Sequence, residues 1–171
     1  MHAAPIQIRR LGPADAAIYR DIRLEALRQS PEAFGSTFET ERCKPLAFFE
    51  GRISTSGVFG AFDHAALVGV AGLLIREGAK ESHKGMLWGM YVRSSARKAG
   101  VGRRLVEAVI EFARTRVELV HLTVVSENET ARRLYARMGF VEYGIERKAL
   151  KQGSRYYDEV LMARDFAAES N

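Results

Sequence analysis

The chain has 171 residues, 47% of them hydrophobic and 27% charged, with a net charge of +5. That length suits one domain over 1–171 with a single core of ordinary size, and no apolar run approaches the ~20 residues of a membrane span. The lone Cys43 excludes an internal disulfide. The start, Met1-His2-Ala3-Ala4-Pro5, lacks the basic and apolar parts of a signal peptide, so a cytoplasmic protein without membrane partners is expected. The positive charge favours an anionic ligand, and nucleic acid and polyphosphate both qualify. It is densest at Arg97-Lys98, Arg103-Arg104 and Arg132-Arg133, inside two apparent helix entries.

In chain order, Ile6 to Ile8 alternates like a short strand, and Pro13-Ala14-Asp15 opens a helix with Ala17, Ile18, Ile22, Leu24 and Leu27 on one side. Ser30-Pro31 closes it, and a shorter helix covers Pro45 to Ile53 with proline in its first turn. Val58 to Phe62 reads as a strand, Asp63-His64 as a turn, and Leu67 to Ile75 as a strand buried on both faces. Polar Glu77 to Gly85 reads as a loop before a strand over Met86 to Val92. From Gly100 the period is helical, with Val101, Leu105, Ala108, Val109, Phe112 and Ala113 on one face. Leu119 to Val125 is a strand. Ser126 and Glu129 have capping-box spacing, and Ala131, Leu134, Tyr135 and Met138 make the next helical stripe. Gly139-Phe140 ends that helix and starts a strand; Tyr156 to Met162 is the last strand, followed by a tail expected to fray. The fold class is α/β, with helices distributed around one sheet.

The chemistry concentrates where Met86 to Val92 runs through a short loop into Gly100-Val101-Gly102-Arg103. Free N–H groups and partial positive charge at a helix start bind phosphate, and glycines let a bulky anion approach. Arg97, Lys98 and Arg103 add full charges. Gly-x-Gly alone also fits a turn that uses glycine only for geometry. No Gly-Lys-Ser/Thr follows, so this is not a Walker loop, and Leu105 stands where a dinucleotide fingerprint has its third glycine.

Arg97-Lys98-Ala99-Gly100-Val101-Gly102 resembles the Gln/Arg-x-x-Gly-x-Gly/Ala signature of the GNAT N-acetyltransferase superfamily. Further on, Asn128-Glu-Thr-Ala131-Arg-Arg-Leu-Tyr135-Ala-Arg-Met-Gly139-Phe140 resembles the family's second element. Leu24 to Gly35 is similar to the N-terminal region of bacterial members. The resemblance implies a mixed, mostly antiparallel sheet with a splayed strand pair and about four helices. It implies acetyl-coenzyme A as cosubstrate, no metal, and a primary amine of a small molecule or a protein terminus as acceptor. It puts Met90, Tyr91 and Val92 along pantetheine, backbone from Lys98 to Arg103 on the pyrophosphate, and Asn128 with Ala131 beside the pantetheine arm. Tyr135 is implied near the thioester sulfur, as general acid. Asn128 and Tyr135 are seven residues apart, so on a helix they share a face about 10 Å apart. Taken without the family, Tyr135 reads as a core aromatic that follows Ala131 and Leu134, and Asn128 as a helix cap.

Acetylation of an alkylammonium, with a pKa near ~10.4, needs a proton acceptor; an α-amine near ~8 needs less help. A backbone N–H at the strand bulge, such as that of Val92, would polarise the thioester carbonyl, and Tyr135 would protonate the leaving thiolate. Some family members place a glutamate on the strand before the glycine loop, but Met86 to Val92 contains no carboxylate. Glu81 and His83 in the preceding loop, Glu39 and Glu41 after the first helix, and a water chain are the candidates. Two other readings compete: a non-catalytic acyl-coenzyme A-binding regulatory module, and a nucleic-acid-binding protein, for which no motif appears. A monomer and a homodimer both fit, and no interface stripe is evident.

Overall fold

In the computed structural model, which describes residues 6–168, the elements are β1 (Gln7–Arg10), α1 (Ala16–Gln29), α2 (Phe38–Arg42), α3 (Leu46–Thr55), β2 (Gly57–Asp63), β3 (Ala66–Ile75), β4 (Lys84–Val92), α4 (Val101–Arg114), β5 (Leu119–Val125), α5 (Glu129–Arg137), β6 (Val141–Gln152) and β7 (Arg155–Asp165). This is the order expected from the sequence, plus the short α2. Met1–Pro5, on which the signal-peptide reading rests, and 169–171 of the tail lie outside the described residues. Among the described residues no helix is long and apolar enough to cross a membrane.

The strands form one sheet in the order β1-β2-β3-β4-β5-β7-β6. Every neighbouring pair is antiparallel except β4–β5, which is parallel. β3 explains the layering: Leu67 to Leu73 is buried throughout, because its alternating side chains enter two separate cores. On one face, Val68, Ala71 and Leu73 meet Val101, Leu105 and Val109 of α4. On the other, Leu67 and Val70 meet Ile22 and Ala26 of α1 and Phe49 and Ile53 of α3. Each fully buried large aliphatic side chain contributes about 1.5–3 kcal/mol of transfer free energy.

Two local expectations are corrected. α1 is turned from the predicted face: Ala17 and Ile18 are exposed, and Ala16, Tyr19, Ile22, Arg23, Ala26 and Leu27 are buried. Arg23 belongs to the buried face because Glu41 of α2 takes hydrogen bonds from its Nε (3.0 Å) and Nη2 (2.8 Å). Arg52 of α3 adds contacts at 3.1 and 3.2 Å, so one carboxylate ties three helices together. α5 is capped by Asn128, whose Oδ1 accepts from the Ala131 N–H at 3.1 Å, and not by Ser126. The backbone carbonyl of Ser126 instead accepts from Arg132.

α1 and α3 pack over the sheet only as far as β4; among the described residues the same face of β5, β7 and β6 has no α-helix over it, and the turn at Pro31–Ala33 with Gly35 reaches β5 and β6. At the β6 edge Val141, Tyr143 and Ile145 are exposed, with Val141 opposite Ala163 and Ile145 opposite Val160 on different faces of the sheet.

Candidate functional site

β4 and β5 pair only through Lys84–Leu119, Gly85–Val120 and Met86–His121. Beyond that β4 carries a bulge: Trp88 pairs with Gly72 and Tyr91 with Val70, leaving Gly89 and Met90 opposite Ala71 alone. Gly89 takes φ +63, a backbone that other residues rarely adopt. Bulges bend and twist a strand, and from here β4 parts from β5. The Arg93 N–H donates to the Val68 carbonyl at 2.9 Å. In an antiparallel ladder the adjoining Gly69–Val92 pair then points its N–H and C=O groups outward. Val92 therefore turns its N–H into the gap, and its carbonyl accepts from Arg97 Nε at 3.0 Å.

The gap leads to the start of α4. The first helical bond there runs from the Arg104 N–H to the Gly100 carbonyl, so Val101, Gly102 and Arg103 have no intrahelical acceptor for their N–H groups. Lys98 (φ 68) and Gly100 (φ 72) are both left-handed, a conformation that costs a non-glycine residue about 1–2 kcal/mol. Gly102 forms the floor: a Cβ there would lie 3.1 Å from Met90 Cε and 3.4 Å from Leu134 Cδ2.

These parts line one groove of ≈ 1520 Å³. It runs from α4 along Met90–Val92, faces Val125, Asn128, Ala131 and Tyr135 on its other wall, and reaches Phe34 and Tyr157. Of the residues predicted to hold the cofactor, together with Tyr135, all line the groove except Ala99. Arg97 is spent partly on β4, through Val92 and the Tyr91 ring at 6.0 Å. The Tyr91 hydroxyl turns toward α1 and donates to Glu25 at 3.2 Å, with Arg93 on the same carboxylate. Asn128 spends its oxygen on the cap and keeps its NH₂ to donate. Tyr135 is 5% exposed, packed edge-on against Phe140. Burial raises its pKa above the ordinary phenol value, so it stays protonated. Sequence reasoning assigned no site role to Phe34, Arg133, Arg137 and Tyr157; the two arginines are variable positions within the second motif on α5, and Phe34 and Tyr157 enter from outside both motifs.

The proposed proton acceptors do not gather here. The His83 carbonyl accepts from the Glu118 and Leu119 N–H groups at the start of β4, roughly 20 Å of strand from Met90. Glu81 beside it pairs with Lys84 at 3.1 Å. Glu39 is exposed and pairs with Arg42 at 2.6 Å. Glu41 is 1% exposed inside its arginine pair. Its burial would raise its pKa, but the Arg23 hydrogen bonds and charge, helped by Ser36 and Arg52, hold it below the usual carboxylate range.

A mixed sheet split beside a helix N-terminus is the architecture of an acyltransferase. Residues 19–140 match the acetyltransferase (GNAT) family model; the chain belongs to that family and is an acetyltransferase. Among solved structures, it is similar to an acetyltransferase of the GNAT family from Streptococcus pneumoniae (TM-score 0.83, 21% identity, 94% of this chain and 99% of that one). It is also similar to a putative acetyltransferase from Salmonella typhimurium with its cofactor acetyl-CoA (0.80, 20%, 95% of each). A third is a ribosomal-protein-alanine N-acetyltransferase from Brucella melitensis (0.76, 25%, 93% and 99%).

Proposed function

We propose that this acetyltransferase moves an acetyl group from acetyl-CoA to a primary amine, with Tyr135 as general acid. The observation that carries the reading is the unpaired edge of β4, with the Val92 N–H turned into a groove that ends at the free N–H groups of α4. An extended amide-bearing arm can add to that edge as a further strand, and a pyrophosphate suits the helix start. Gly102 supports the fit, because any side chain there would enter the floor. When bound, acetyl-CoA supplies an activated thioester.

This chain's residues then have distinct tasks. Backbone groups of Met90 and Val92 hold the arm while those of Tyr91 pair with Val70 of β3, and the Val92 N–H polarises the carbonyl where negative charge develops. N–H groups from Lys98 to Arg103, with the charges of Arg97, Lys98 and Arg103, hold the phosphates. Asn128 donates its amide to the arm, and Ala131 leaves room for it on the α5 side. Tyr135 holds its proton in the buried wall until thiolate charge appears, then donates to it. The acceptor is a small-molecule or peptide amine; the activity named for the Brucella melitensis relative makes an alanine α-amine one class to include.

The test is calorimetry with acetyl-CoA, followed by thiol release with a panel of amines. Tyr135→Phe is expected to bind acetyl-CoA like wild type and lose about 10²-fold in kcat. Wild-type protein that does not bind acetyl-CoA refutes the reading.

A further inference from the structure

The four acids and bases considered from the sequence are remote or already committed, yet an alkylammonium acceptor must lose a proton before it can attack. Groove-lining carboxylates do not serve: Glu127 is paired with Arg155 at 2.7 Å and Glu107 with Arg103 at 3.6 Å, and Glu32 is exposed on the turn after α1.

Glu159 of β7 has a different setting. In the ladder it stands directly opposite Val125, and paired residues of an antiparallel ladder point to the same face, about 4.5–5.5 Å apart. Two positions earlier on the same face is Tyr157. Val125 and Tyr157 both line the groove, so the neighbours of Glu159 across and along the sheet are groove walls. The intervening residues Val124 and Val160 face the opposite way, into the core with Tyr135. Glu159 is not itself among the residues that line the groove; it stands beside two that are, on the face of the sheet opposite α5.

The chemistry of the spot is equally specific. Glu159 is half-buried and has no cationic partner among the described residues. Thr123 of β5 lies near it on the same face of the sheet, and Glu146 of β6 stands opposite it in the ladder. Those are the groups that act on it from the two flanking strands. Burial, with the Glu146 charge added, lifts its carboxyl above the usual range, although Thr123 opposes this. Like charges directly opposite on neighbouring strands repel, and a cation between them would relieve that repulsion.

We propose that Glu159 is the proton acceptor for an alkylammonium substrate, with Glu146 as an electrostatic partner that favours cationic acceptors over neutral ones. This rests on the acetyl-transfer reading above. The proton passes from the ammonium nitrogen to a Glu159 carboxylate oxygen and then to solvent along the open face. The freed amine forms the C–N bond as the C–S bond breaks, and the second nitrogen proton balances the one delivered to the thiolate.

The experiment compares Glu159→Gln and Glu146→Gln with wild type on three acceptors: the dication 1,4-diaminobutane, the monocation of a C-terminally amidated tripeptide with a free N-terminal alanine, and aniline, which is neutral at pH 7. Acetyl-CoA affinity, measured first, reports on folding and the donor site. Expected for Glu159→Gln are an unchanged acetyl-CoA Kd, a 10²–10⁴-fold loss of kcat/KM for the diamine, a smaller loss for the α-amine, and little change for aniline. Glu146→Gln is expected to raise the KM of the diamine more than that of the monocation. Equal losses on aniline and the diamine, or no loss on the diamine, overturn the proposal. So does wild type that binds acetyl-CoA but acetylates neither cationic acceptor. Failure of wild type to bind acetyl-CoA instead removes the donor reading on which the proposal stands.

Discussion

Replacing Glu41 by alanine is expected to destabilise the fold strongly while leaving the groove chemistry intact in the folded fraction. Glu41 and Arg23 are 1% and 5% exposed, joined by two hydrogen bonds of 2.8 and 3.0 Å. Removing the carboxylate strands a buried guanidinium, which costs about 3–5 kcal/mol. For a chain of this size each kcal/mol moves Tm by roughly 2–4 °C, so a fall of roughly 6–20 °C is expected in a thermal melt followed by circular dichroism. Removing both charges together, as Arg23→Met with Glu41→Leu, should recover most of that loss, because a packed apolar pair replaces a desolvated one. The pair also sets a pH dependence. The folded carboxyl lies below its unfolded value, so its stabilisation is fully present above the unfolded pKa near ~4.3. It is lost as pH falls through the folded value. The stability gap between wild type and Glu41→Gln should therefore close in acid. A Glu41→Ala protein within about 1 kcal/mol of wild type at pH 7 would refute the argument, and lost activity without lost stability would return Glu41 to the acceptor site.

Gly102→Val should leave Tm near wild type and weaken acetyl-CoA binding at least about tenfold by calorimetry, since its Cβ enters the floor between Met90 and Leu134; unchanged binding would place the ligand elsewhere. Asn128→Ala should cost about 1 kcal/mol by removing the α5 cap and should also weaken acetyl-CoA binding. Asn128→Asp should restore the cap but not the binding, because a carboxylate accepts from the Ala131 N–H yet has no amide to donate. If Asn128→Asp recovers both, the amide has no ligand role.

What could be read from the sequence divides by the range of the interactions involved. Arg97 to Arg103 and Asn128 to Tyr135 are each a single turn-plus-helix unit, so their residue types and spacing record local geometry. The left-handed backbone at Gly100 and the Asn128 cap follow directly from that. The face of α1 was misread because a hydrophobic period cannot show that an arginine is buried: Arg23 sits inside only because Glu41, eighteen residues on, neutralises it. Of the two cap signals at 126–131, the capping-box spacing of Ser126 loses to Asn128 because the helix starts at Glu129, which leaves Ser126 two residues too early. Val141, Tyr143 and Ile145 alternate in the sequence as one face of a strand would, but the bulge between Glu142 and Gly144 sets Val141 opposite Ala163 and Ile145 opposite Val160, on different faces.

The proton acceptor was the least legible element. A carboxylate on β4 itself would have been visible beside the glycine loop, but Glu159 depends on the register that sets β7 against β5 and β6. A slip of one residue would turn it to the core face, where Val160 and Met162 now pack under α4 and α5. Those buried side chains fix the register, and the register sets Glu159 beside Val125 of β5 and Glu146 of β6. The core of β7 and the placement of Glu159 are therefore a single constraint. A variant that tolerates Glu159→Gln without loss of stability but loses turnover on ammonium acceptors would separate the two roles that this constraint joins.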